Sequence, residues 1–74
     1  MKDYLDTFFS RIIGERVVKE WTPTIHAPTD VAEEYPVIAG ITVTVDKYCD
    51  PRSMEMRAET GKLMASINGV RPPA

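Results

Sequence analysis

The sequence predicts a two-layer α+β domain, with one N-terminal amphipathic helix packed on a three-stranded antiparallel β-meander. Three observations carry that expectation. Apolar residues near the N-terminus recur at steps of three and four. Those from Ile41 to Val45 alternate with polar ones. The C-terminal third folds back about Thr60-Gly61 with one consistent apolar face.

The helix is expected over 3–19. Met1, Tyr4, Leu5, Phe8, Phe9, Ile12 and Ile13 form its stripe, opposite Lys2, Asp3, Asp6, Thr7, Ser10 and Arg11. Asp3 can cap the first turn, and Asp6 places negative charge where the helix dipole favours it. Beyond Ile13 two readings stand. Val17, Val18 and Trp21 extend the stripe, with Arg11, Glu15 and Lys19 at helical charge spacing. Alternatively Gly14 is the left-handed residue past the helix end, and Glu15–Thr22 is a strand.

Residues 22–36 read as a loop, because Pro23, Pro28 and Pro36 punctuate them. Thr29 or Asp30 could cap a short helical turn through Glu34, which Pro36 would end. The loop is a packed cover or a binding site.

Strands are expected at 37–48, 53–59 and 62–67. A type I turn with Pro51 at its second position joins the first two. Folding about Thr60-Gly61 pairs Ala58 with Leu63, Met56 with Ala65 and Met54 with Ile67. Folding about Pro51-Arg52 sets Val45 opposite Ala58, Cys49 opposite Met54 and Asp46 opposite Arg57. Lys47 then falls on the apolar face, against that register. A helix over 54–67 would carry Gly61 in mid-segment. The expected core is Leu5, Phe8, Phe9, Ile12, Ile41, Val43, Val45, Met54, Met56, Leu63, Ala65 and Ile67. Residues 1–70 make one domain, and 71–74 are an extended Pro-rich tail.

Composition narrows the function classes. The chain has 74 residues, 43% hydrophobic and 27% charged, with formal charge −2. That balance suits a globular domain and lacks the basic footprint of a nucleic-acid binder. Arg52 and Arg57 with Tyr48 could line an RNA platform, but Asp46 and Glu55 share that face. No apolar run approaches the roughly 18 residues of a membrane span. The N-terminus has no signal-peptide pattern, and one cysteine makes no internal disulfide, so a reducing, cytoplasmic setting is expected.

Candidate chemistry is sparse. His26 is the single histidine, read as a surface loop residue; a base role would need Asp30 or Glu34 to orient it. Cys49 lies near Asp46 and Asp50, which would raise its pKa, so it reads as an inert thiol. Metal, phosphate-loop and catalytic signatures are missing, and no cofactor is expected. What remains is apolar surplus: Tyr4, Ile13, Val17, Val18, Trp21, Ile25 and Met64 are the candidate partner-binding residues. A packed cover under the long loop would use them equally well.

The expected function is therefore a non-catalytic protein-binding or assembly protein, a small viral or bacterial accessory factor or structural subunit. It would self-associate as a homo-oligomer or join a larger assembly. The alternative is a small oligomeric enzyme or ligand-binding protein with a site between subunits around His26.

Overall fold

The computed structural model describes residues 2–16 and 22–72, without the side chains of residues 2, 3, 15 and 16. It is a small α+β domain with one main helix and a five-stranded mixed sheet. The elements are α1 (Lys2–Arg16), β1 (Thr24–Ala27), α2 (Thr29–Glu34), β2 (Val37–Ile38), β3 (Ile41–Val45), β4 (Met54–Arg57) and β5 (Leu63–Ile67).

The principal correction concerns β1. The sheet order is β2-β3-β1-β4-β5, so the segment read as a loop supplies the central strand. Thr24–Ala27 is bounded by Pro23 and Pro28, which end the strand without breaking its ladders. β1 runs parallel to β3, with Ile25 opposite Val43, and antiparallel to β4, with Ile25 opposite Met56. The expected β3–β4 pairings, Val45 with Ala58 among them, are thereby replaced. The parallel β1–β3 pair is joined through α2 and β2, a crossover of the kind parallel strands need. Within it, α2 forms where a short helical turn was expected. Its N-cap is Pro28, however, and Asp30 Oδ1 accepts a hydrogen bond from the adjacent Val31 N–H at 2.9 Å.

The C-terminal hairpin forms as two strands. Met54 pairs with Ile67 and Met56 with Ala65, as expected, but Arg57 pairs with Leu63 through a bulge that adds Met64. That extra residue changes the alternation. Met64 packs against the core, whereas Leu63 lies 46% exposed beside the polar face. Val45 is also 54% exposed at the end of β3, so it leaves the expected core as well.

Both helices contribute to one apolar cluster on one face of the sheet. Leu5 and Phe9 of α1 and Val31 and Ala32 of α2 pack with Ile25, Ala27, Ile38, Val43, Met54 and Met56. Phe8, Ile12, Ile41, Ala65 and Ile67 pack around its rim. α1 continues helically through Gly14, so Gly14 is not its left-handed cap, and Asp3 lies in its first turn. The proposed continuation to Lys19, with Val17, Val18 and Trp21, lies outside the described residues.

Two strained turns are tied down. Ala39 and Gly40 both have positive φ, 52° and 77°, in the tight turn between β2 and β3. The Asp6 carboxylate accepts a hydrogen bond from Ala39 N–H at 2.8 Å, fixing that turn to α1. At Asp50-Pro51-Arg52-Ser53, Ser53 N–H reaches Asp50 O at 3.2 Å. Arg52 at the third position has φ 54°, which is type II character and corrects the expected type I turn.

Candidate functional site

The face of the sheet opposite the helices carries the polar chemistry. β1 places Thr24 and His26 there, since Ile25 and Ala27 point into the core. β4 adds Glu55 and Arg57 between its buried methionines. Exposed Thr42, Thr44 and Ser66 complete the hydroxyl-rich surface.

His26 is thus a half-buried residue of the central strand, not a loop residue. Its cross-strand neighbours are Thr44 and Glu55. Nε2 lies 2.8 Å from Thr24 Oγ1, and Nδ1 lies 3.5 Å from Asp46 Oδ2. Asp46 is held in turn. Its N–H donates to Ala27 O at 2.8 Å, and its Oδ1 accepts from Tyr48 N–H at 2.9 Å. The acid beside His26 is therefore Asp46, in place of the Asp30 or Glu34 that chain proximity suggested. The parallel β1–β3 pairing brings them together, and that pairing leaves no local spacing signal.

Cys49 sits beside the same group, with Sγ 3.5 Å from Glu55 Oε1. Partial burial pushes its pKa up to about 11, assisted by Glu55 and then Asp46. The thiol is raised, as the sequence suggested, but burial and Glu55 lead and Asp46 contributes less.

Alongside lies an open cleft of about 340 Å³, lined by Tyr48, Asp50, Ser53, Glu55, Arg57, Leu63, Ser66 and Asn68. Arg57 crosses it, donating to Glu55 Oε2 at 3.0 Å and Gly61 O at 2.9 Å. Tyr48 is 86% exposed at its edge, with the Lys47 ammonium 5.5 Å from its ring centroid. Lys47 lies beyond β3 in a turn, and the register it counted against does not form. Arg52 is engaged elsewhere. Its Nε donates to Val70 O at 2.6 Å, and its guanidinium meets Glu34 at 2.8 Å and Asp30 at 3.4 Å. Glu34 is the main cause of its raised pKa.

The expected partner-binding residues do not share one surface. Tyr4 is 57% exposed beside a second cleft of about 220 Å³, between α1 and the chain after β5. Ile13 and Met64 are half-buried against the core, and Ile25 is wholly within it. Val17, Val18 and Trp21 lie outside the described residues. Tyr48 and Leu63, both exposed, were not among them. Tyr48 in a turn signals nothing by itself, and Leu63 is exposed by a bulge that simple alternation misses.

Among the described residues, no group of three or more His, Cys, Asp and Glu is placed to hold a metal ion. Nor is any described helix long and apolar enough to cross a membrane. No family model, curated protein or solved structure matches the chain.

Proposed function

We propose that the chain is a non-catalytic protein-binding or assembly domain, and that it grips its protein partner at the cleft between Tyr48 and Leu63. The observation carrying this reading is the composition of that cleft. An exposed tyrosine and an exposed leucine flank an arginine on a face that no described helix covers. Tyrosine and arginine are the side chains that anchor interfaces, and a polar rim of Glu55, Ser66 and Asn68 supplies hydrogen bonds around them. The small size of the domain agrees, since domains this short often gain stability by association.

The test is co-purification from the native host and light scattering at micromolar concentration, using the wild type and the double variant Tyr48→Ala, Leu63→Ser. Both substitutions are at exposed positions and leave the core intact. The expected result is a stoichiometric partner, another protein or a second copy, that the double variant loses. A lone monomer with no partner, or a variant that keeps the partner, overturns the reading.

One observation favours a second reading, a small enzyme or ligand-binding protein built around His26. Its imidazole stands between a hydroxyl and a carboxylate, the arrangement that orients a general base. An activity that survives His26→Gln unchanged removes this reading.

A further inference from the structure

We propose that Thr24 is an acyl-acceptor site, a hydroxyl activated by His26 and Asp46 that takes an acyl group from an activated ester. The inference rests on the second reading above, in which His26 acts as a base, and adds the atom that receives the group.

Three features of the geometry carry it. First, the order of contacts suits one placement of the protons. Nδ1 of His26 faces the Asp46 carboxylate at 3.5 Å; in the tautomer protonated at Nδ1, Nε2 keeps the lone pair. The Thr24 hydroxyl, 2.8 Å from Nε2, is then the donor. This is the chain of roles by which a hydroxyl is made nucleophilic: nucleophile, base and orienting acid. Second, the acid is fixed independently of the histidine. Asp46 spends Oδ1 on Tyr48 N–H and leaves Oδ2 toward His26. Third, Arg57 is the cross-strand partner of Thr24, so the same face carries a cation, its guanidinium held by Glu55 Oε2 and Gly61 O.

The step balances without a redox partner. The Thr24 oxygen bonds to the acyl carbon as its proton passes to His26 Nε2. The ester C–O bond breaks, and the departing oxygen takes that proton. Release of the acyl group by water is slow, because the threonine alkoxide is a far poorer leaving group than that of the activated ester. The acyl protein therefore accumulates.

The experiment uses the full chain with p-nitrophenyl acetate, following phenolate release and locating the acetyl group by peptide mass mapping. One acetyl group is expected on Thr24. Thr24→Val abolishes uptake there, Thr24→Ser retains it, and His26→Gln slows it about 100-fold. Asp46→Asn slows it with the acetyl position unchanged, and Asp46→Glu recovers part of the rate, marking Asp46 as a positioning residue. Circular dichroism confirms that each variant is folded. If His26→Gln slows phenolate release but Thr24→Val does not, His26 acts without Thr24 and this proposal fails while the second reading stands. If neither variant alters release, or the acetyl group maps only to lysines and the N-terminus, both fail.

Discussion

At the scale of single residues, Arg52 shows how a strained conformation is held. A left-handed backbone is unfavourable for any side chain with a Cβ. Arg52 adopts it because its side chain is fastened to α2 through Asp30 and Glu34 and to the C-terminal segment through Val70 O. Its carbonyl closes the clamp by accepting Val70 N–H at 2.8 Å. Arg52→Ala keeps the strain and loses the side-chain clamp, whereas Arg52→Gly loses the clamp and relieves the strain. Melting temperatures are expected in the order wild type, Gly variant, Ala variant; an Ala variant as stable as wild type contradicts this. Cys49 gives a second prediction. With its pKa raised to about 11, thiolate is scarce at pH 8, and alkylation runs about 100-fold slower than for an ordinary cysteine. Glu55→Gln speeds it. The folded-state pKa lies above the ordinary 9.0, so the thiol's contribution to stability is present below about pH 9 and lost as pH rises toward 11.

At the scale of elements, α1 is joined to the β2–β3 turn by one hydrogen bond from the Ala39 amide to Asp6. Asp6→Ala removes the acceptor and is expected to cost about 1 kcal/mol, read from urea unfolding. Asp6 was read from the sequence as a first-turn charge alone, since nothing local ties it to a turn more than thirty residues away. The elements most legible in the sequence were those with a long period. α1 carries four turns of one stripe, and apolar residues alternate with polar ones along the β3 and β4 sequences. β1 was illegible because it is only four residues long and lies between prolines, and periodicity needs a longer run. The bulge at Met64 was hidden for a related reason. One added residue changes which side chains face the core, and no residue type marks it.

At the scale of the whole molecule, inserting β1 between β3 and β4 decides both faces of the sheet. It carries Ile25 and Ala27 into the centre of the core and sets His26 beside Asp46 on the opposite face. The candidate site was therefore only half legible. His26 was visible as a residue, but Asp46 reaches it through a parallel pairing, and Thr24 faces it only because β1 is a strand. Ile25 separates a core role from an interface role. Ile25→Ala is expected to cost about 2–5 kcal/mol independently of protein concentration. A loss that disappears on dilution would place Ile25 at an interface.

Cross-strand nuclear Overhauser effects in the isotopically labelled protein test the central position of β1 most directly. The expected result is contacts from Ile25 to both Val43 and Met56. Direct contacts between Val45 and Ala58, with none from Ile25 to either strand, would restore the three-stranded meander and dissolve the site built on His26.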